Sequence, residues 1–596
     1  MWEGIRKALA LLPPGTGWRW AALLPLSLAA AAAEAAGAAA VYGLIRVLTD
    51  PSEVARVPLA AAWLHWIAKP EASSVVAGTT VLVMLVYLLR NVVLSASWYV
   101  QERVVFGTVV QMASRAFRAY LEAPYPFFFR RNSAALIQRV QRSTEVAATQ
   151  VLASVVHIAT EVFVAAGLVM LLAMTAPPVT LAAVAATLAL LLLPAAFGGR
   201  LFRRWGHEEQ ELEKVLLQEL QQGLGAIKEV RVAGRESYFH GSYARRRAEH
   251  ARLQRRRSTL QELVRLAVET TFVVALVGVV LLLTVLDTTG AQSLSVLGLY
   301  AYAGFRLVPS ANRVARSINC IRSATPFVCD LHEDLAALQQ QAVASPCSGG
   351  TELLFQSTIA FEGVSFSYVP GRPAVLDGLD FTIRRGESVA ILGATGAGKS
   401  TVVDLLLGLL EPSSGRVLVD GHDIRTGIRS WQRQVGLVPQ EPHILDGSIR
   451  ANVAFGLDPG EVDDARLHQA LHLAQLHALV ASLPEGLDTR LGERGVCLSG
   501  GQRQRVAIAR ALYHAPAVLV FDEATSALDL ETERELADAI AALHGEHTVV
   551  VVAHRPSTVR RCGRLLVLRG GRLAASGPPG ELEVTEPGWL SQDPVG

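Results

Sequence analysis

The sequence predicts an α-helical transmembrane domain of six spans with long cytoplasmic extensions, followed by an α/β domain built around a phosphate-binding loop. Three observations predict it. Apolar residues crowd the first half, Arg-rich helix-forming stretches separate several of the apolar runs, and the second half alternates β-rich and helical runs around Gly393–Thr401. Of the 596 residues, 51% are hydrophobic and 18% charged, and mean hydropathy is +0.33. A soluble chain carries about 25% charged residues, so this balance excludes an ordinary soluble enzyme. A disordered chain needs the opposite balance. The net charge of +2 gives no reason to expect a nucleic-acid partner.

Six runs are long enough to cross a bilayer as helix, which takes about 20 apolar residues. They are Trp20–Leu48, Ser74–Val100, Ala147–Ala173, Pro178–Phe197, Val264–Leu286 and Ser293–Val314. The first is too long for a signal peptide, is interrupted by Glu34 and Gly37, and has no clean cleavage site after it. Short connections join the third run to the fourth and the fifth to the sixth. The other two internal connections after the second run are long and carry Arg115, Arg118, Arg130, Arg131, Arg139 and Arg142, then Arg203, Arg204, Arg245–Arg247 and Arg255–Arg257. An excess of Arg marks the cytoplasmic side, and Arg6 and Lys7 put the N-terminus there too. Glu208–Gly223 is rich in helix formers, so the spans are expected to continue as helices beyond the membrane. Pro124–Asn132 and Arg231–Ser237 are expected to turn the chain back. Residues 1–325 are read as the membrane domain, 326–357 as a linker and 358–596 as the α/β domain. The five cysteines form no CxxC pair and receive no role.

In the second half, the buried-strand run Ser388–Leu392 leads into Gly393, Ala394, Thr395, Gly396, Ala397, Gly398, Lys399, Ser400 and Thr401, then an apolar helix. This spacing lets backbone N–H groups curl around phosphate oxygens. Lys399 can reach the β- and γ-phosphates, and Ser400 can ligate Mg²⁺. A second strand, Val518–Phe521, ends in Asp522 and Glu523, which suit a metal ligand and a general base for attacking water. A helix-capping acid would explain one carboxylate better than two adjacent ones. A third β-rich run ends at His554, placed to contact the γ-phosphate. Ser499, Gly500, Gly501 and Gln502 at a helix start form a second phosphate cradle. One domain holding one nucleotide hardly needs two cradles, so the second is expected to serve a nucleotide held by another copy.

These motifs, in this order, resemble the ATP-binding cassette (ABC) exporters, half-transporters whose membrane domain is fused to a P-loop ATPase domain of the ABC type. Leu498–Gln502 matches the family signature, Ser526–Asp529 the D-loop and Glu493–Gly495 the X-loop. The resemblance implies that Tyr368 stacks on adenine. It also implies that Gln440 senses Mg²⁺ and touches the membrane domain, that Asp529 of the D-loop helps bind the nucleotide, and that two copies close head to tail on two ATP molecules. A homodimer would have two competent sites. The resemblance further implies that the two turns act as coupling helices, and the fused domain order argues against an importer. Cargo is read from charges in or near the spans: Glu34, Arg90, Glu161, Arg265, Glu269 and Arg306. Arg90, Arg265 and Arg306 can form a basic surface for a phosphate-bearing cargo. Alternatively they snorkel or pair locally, as Arg265 can with Glu269 at i,i+4. Segments around these arginines resemble bacterial lipid-linked oligosaccharide flippases, which implies a polyprenyl-pyrophosphate glycan and a bacterial inner membrane. The alternatives are a multidrug, phospholipid or peptide exporter, or a channel gated by ATP.

Overall fold

The computed structural model describes residues 1–49, 72–129, 131–175, 177–285, 291–344, 352–369, 371–523, 545–552 and 559–585. The chain divides into two compact units, one holding Met1–Ala123 and Phe127–Gln341, the other Pro124–Pro126 and Ala342–Gly596.

The first unit is helical. Its six long helices are α1 (Leu23–Thr49), α2 (Ala72–Leu121), α3 (Ala153–Thr175), α4 (Pro177–Gly225), α5 (Glu236–Val285) and α6 (Ala291–Ala344). Helices α2, α4, α5 and α6 have 50, 49, 50 and 54 residues. At 1.5 Å per residue each is about 75 Å long, more than twice the ~30 Å of bilayer hydrocarbon, so each extends well beyond a span. Among the described residues, the stretches Gly17–Leu48, Val75–Leu121 and Ser133–Met170 are long and apolar enough to cross a membrane. The other three predicted spans fall on α4, α5 and α6, with Leu286 outside the described residues. Short helices Pro126–Phe129 and Ile227–Val232 stand where the chain was expected to turn. Ahead of α3 the helix alternates between α and π winding, with π segments at Arg139–Ser143 and Ala147–Leu152.

Where a linker is expected from residue 326, α6 continues as helix to Ala344. Pro326 removes one helical hydrogen bond, but an apolar stripe outweighs it. Ile321, Ala324, Val328, Leu331 and Leu335 recur at helical spacing and are buried with Ala8, Leu11, Met112 and Val151. Lys7 adds an ion pair to Glu333 at 3.0 Å. Gly206 of α4 meets the backbone of α6, where any Cβ would run into the Ser323 carbonyl.

The second unit holds two sheets. Strands β1 (Thr358–Phe366), β2 (Leu376–Arg384), β4 (Ser414–Val419) and β5 (His422–Asp423) form an antiparallel sheet in the order β2-β1-β4-β5. Strands β3 (Ser388–Gly393), β6 (Val435–Val438), β7 (Val518–Asp522), β8 (Thr548–Val552), β9 (Arg564–Arg569) and β10 (Arg572–Gly577) form the other, in the order β10-β9-β3-β8-β7-β6. All its pairs are parallel except β10 with β9. Val518–Phe521 and Val549–Val552 are near-continuous buried apolar runs, as strands covered on both faces require. Helix α7 (Lys399–Leu406) leaves β3 through the glycine loop, and α8 (Gly500–Tyr513) packs into the core through Val506–Ala509.

Candidate functional site

The parallel sheet brings the phosphate loop and the acidic pair to one edge. Val552, at the end of β8, pairs with Ile391 of β3 on one side and Asp522 of β7 on the other. Thus the loop after β3 and the carboxylates ending β7 emerge on either side of one strand, at the carboxyl ends where α/β sheets hold ligands. Gly393, Gly396 and Gly398 have φ of 154°, 82° and 99°. A Cβ at Gly398 would press on Leu376 and the Val375 carbonyl, so the loop needs glycine there. Thr395 lies between these glycines, and Ala397 N–H closes the turn on the Ala394 carbonyl at 3.0 Å.

Lys399 is buried, with Nζ donating to the carbonyls of Gly393 (2.8 Å) and Ala394 (3.2 Å). Burial lowers its pKa, and the nearby Glu523 and Asp522 oppose that shift. Ser400 and Thr401 follow in the first turn of α7, and the Thr401 hydroxyl is 3.0 Å from the Tyr368 hydroxyl. The Tyr368 ring is exposed and packs edge-on against Phe366.

Glu523 holds a left-handed backbone, φ 48°, with its N–H bound to the Val552 carbonyl at 3.1 Å. A non-glycine residue there stores about 1–3 kcal/mol of strain. Gln440, two residues after β6, donates its amide to Glu523 Oε2 at 2.9 Å. Burial and the adjacent Glu523 push the Asp522 carboxyl up. Sequence reasoning missed a third acid, Asp404 on α7, whose pKa is raised to about 6 by burial and by Asp522. It also missed Arg510 on α8, which donates to the Asn452 and His443 carbonyls and lies over Phe455, fixing α8 against the segment after Gln440. His554 and Asp529 lie outside the described residues.

Ser499 caps α8. Its hydroxyl accepts from Gln502 N–H at 3.2 Å, and the Gln502 side chain accepts from Ser499 N–H at 2.9 Å. This reciprocal box occupies both side chains locally. The first-turn N–H groups of Gly500 and Gly501 keep the unpaired donors of a helix start.

The three arginines proposed for cargo are handled differently. Arg90 of α2 donates twice to Glu34 of α1, at 3.0 and 2.7 Å, and Arg306 of α6 bonds the other oxygen of the same carboxylate. Arg265 instead pairs along its own helix with Glu262 (3.1 Å) and Glu269 (3.7 Å), and its side chain is 46% exposed. The structure thus joins Arg90 and Arg306 and leaves Arg265 with local partners, as its i,i+4 spacing allows. Arg313 meets Glu161 through two nitrogens, one at 3.1 Å. In the extensions, Glu209, Glu213 and His250 lie together. Arg257 bonds Glu209, Arg142 stands 3.6 Å from Glu213, and Arg247 donates to His250 Nδ1. Three arginines thus stand against that cluster.

Comparison with known proteins places this geometry. Residues 31–304 match the ABC transporter transmembrane region, and residues 376–526 match the ABC transporter domain. An ATP-dependent lipid A-core flippase of Cupriavidus pinatubonensis is 31% identical over 506 residues, covering 83% of this chain and 84% of the relative. The chain is an ABC transporter. A flippase of the same description from Ralstonia nicotianae is 42% identical over 240 residues, 40% of each chain. The mycobactin import ATP-binding/permease protein IrtB of Mycobacterium tuberculosis is 46% identical over 235 residues. The transporter aligns with 40% of the length of these last two relatives. The solved structure of a bacterial Atm1-family ABC exporter with ATP bound matches with a TM-score of 0.79 at 25% identity. It covers 95% of this chain and 97% of that one. The helical membrane domain followed by an ABC nucleotide-binding domain is therefore the fold of this transporter. IrtB is an import protein that also joins ATP-binding and permease functions, so fused domains do not by themselves set the direction of transport.

Proposed function

We propose that the transporter hydrolyses ATP as a homodimer in a bacterial inner membrane. It moves an anionic lipid-linked or amphipathic cargo from the cytoplasmic side, with polyprenyl-pyrophosphate oligosaccharide the best-fitting class. The single observation that carries this reading is the pair Arg90 and Arg306 on one buried carboxylate, which leaves a surplus positive charge within apolar spans. Buried guanidinium groups are costly without an anion and match phosphate in geometry. The whole-length likeness to lipid A-core flippases, which bear a lipid cargo in their name, supports a lipid substrate.

In this reading the loop 393–401 binds the ATP phosphates and Lys399 leaves its carbonyl partners for phosphate oxygens. Tyr368 stacks on the base. Glu523, oriented by Gln440, accepts the proton of the attacking water as its oxygen bonds the γ-phosphorus and the bond to the β–γ bridging oxygen breaks. His554 contacts the γ-phosphate. Ser499–Gln502 and Asp529 of a second copy complete the site. The hydroxyl of Ser400, the amide oxygen of Gln440 and the carboxylate of Asp522 are an all-oxygen donor set that fits Mg²⁺. That ion, when bound, neutralises phosphate charge. Residues 1–325 and 358–596 then act as carrier and motor, coupled through the turns at 124–132 and 231–237.

The test is ATPase activity in nanodiscs with polyprenyl-pyrophosphate glycan, neutral phospholipid or cationic drugs added singly. Stimulation by the pyrophosphate lipid alone is expected. Stimulation by cationic drugs alone would sink the cargo assignment in favour of a multidrug exporter. In sealed vesicles, flux persisting without hydrolysis would indicate a channel.

A further inference from the structure

Glu34 is only 3% exposed, yet it lies in the middle of α1 among alanines. It joins three helices, because its two oxygens are taken by Arg90 from α2 and Arg306 from α6. Arg90 is held firmly. Gly37, one turn along α1, makes room for its stem, since a Cβ there would stand 3.1 Å from Arg90 Cδ. The Tyr87 ring lies beneath its guanidinium at 5.1 Å, and Asn91 Oδ1 accepts from Nη1 at 3.0 Å. Arg306 is less fully occupied, because its buried Nε–H has no acceptor among the described residues. Two guanidinium groups therefore share one carboxylate, with donor capacity left over on Arg306.

We infer that Glu34 is the internal counter-anion of the cargo site: it holds Arg90 and Arg306 between cycles, yields them to the cargo phosphate, and retakes them on release. This rests on the anionic-cargo reading above. The physical reason is balance. Two bare guanidinium groups in apolar surroundings would bind phosphate so tightly that release would limit turnover, and between cycles they would be unpaired. A resident carboxylate makes cargo entry and exit exchanges between two arginine partners of the same kind. Because the exchange links α1, α2 and α6, it also ties cargo occupancy to how those helices are joined.

The experiment uses the full chain in phosphatidylcholine nanodiscs and vesicles, with polyprenyl pyrophosphate as the probe and neutral polyprenol as the control. For Glu34→Gln the half-stimulating concentration of the pyrophosphate lipid should fall about tenfold while the maximal flipping rate falls by a similar factor. A merely structural glutamate would weaken binding and rate together. The polyprenol response should not change. An arm with inorganic pyrophosphate separates a lipid head group, which needs its tail, from a free anion. Tighter engagement of either in Glu34→Gln supports the exchange. Wild-type stimulation with an unchanged or raised half-stimulating concentration in Glu34→Gln overturns the inference and leaves the cargo reading standing. No wild-type response to the anionic lipid overturns the cargo reading, and the inference with it. Should Glu34→Gln fail to fold, Glu34→Asp keeps the charge with a shorter reach. It should show the same split at smaller size, and wild-type values there would refute the exchange.

Discussion

In the membrane unit, Glu34 meets two arginines and Glu161 meets a third. In the nucleotide-binding unit, Asp522 lies near both Asp404 and Glu523, and Lys399, close to Asp522 and Glu523, turns its ammonium to loop carbonyls. In the first arrangement each carboxylate has an arginine partner; in the second, burial and a neighbouring carboxylate push both Asp404 and Asp522 up. The difference follows the solvent each unit works in. A carboxylate among apolar spans has no water to turn to, so the chain must supply its partner. A site that receives a nucleotide can set carboxylates side by side, where each makes ionising the other more costly.

The strongest way to break this contrast is at Glu523. If that carboxylate is a general base rather than a structural acid, Glu523→Gln should lower ATP turnover about 10²–10⁴-fold while ATP binding persists, measured as phosphate release beside nucleotide retention. The glutamine keeps the size of the side chain and can still hydrogen-bond Gln440. Turnover within a few-fold of wild type would remove Glu523 from the chemistry.

A smaller effect sharpens the membrane side. Arg306→Ala should reduce cargo-stimulated transport to background while leaving basal ATPase in place. Arg265→Ala should keep most of the transport, because an exposed ion pair along one helix is worth about 0–1 kcal/mol. Vesicle flipping assays on the two variants side by side check this. Equal losses would mean that Arg265 joins the cargo path despite its local partners.

The sequence carried one unit further than the other. The glycine loop and the acidic pair were legible because backbone curvature and strand ends constrain residue types at short spacing, whereas Gln440 came only from the family resemblance. The Ser499–Gln502 box is equally legible as a helix start with serine followed three residues later by glutamine, and it carries the phosphate-cradle and family-signature readings as well. The Arg265 pairing was visible as an i,i+4 neighbour. The Glu34 partners were not, since they lie 56 and 272 residues away and only packing of three helices brings them together. Residues 326–344 looked like a linker because Pro326 and a glutamine run outweighed a stripe whose burial depends on other helices. Asp404 escaped notice because an acid on an otherwise apolar helix reads as solvent-facing until the sheet places Asp522 beside it.

Asp404 supplies the mildest and most discriminating test of the idea that clustered carboxylates in the motor site oppose one another. Its pKa rises from an ordinary 3.8 to about 6, through burial first and Asp522 second. A carboxyl whose folded pKa is raised favours the neutral form. Its cost to stability is therefore absent below about pH 3.8, grows as pH rises to about 6, and is fully present above that. Asp404→Asn should accordingly raise the Tm of the transporter in detergent by a few degrees at pH 7.5, with the gain shrinking at pH 5. Adding Mg²⁺ with ATP should narrow the gap at pH 7.5, because a cation near Asp522 offsets part of the repulsion that Asp404 feels. A variant that melts lower than wild type at both pH values would mean that the carboxylate is satisfied as it stands, and that the nucleotide-binding unit balances its acids internally, as the membrane unit does.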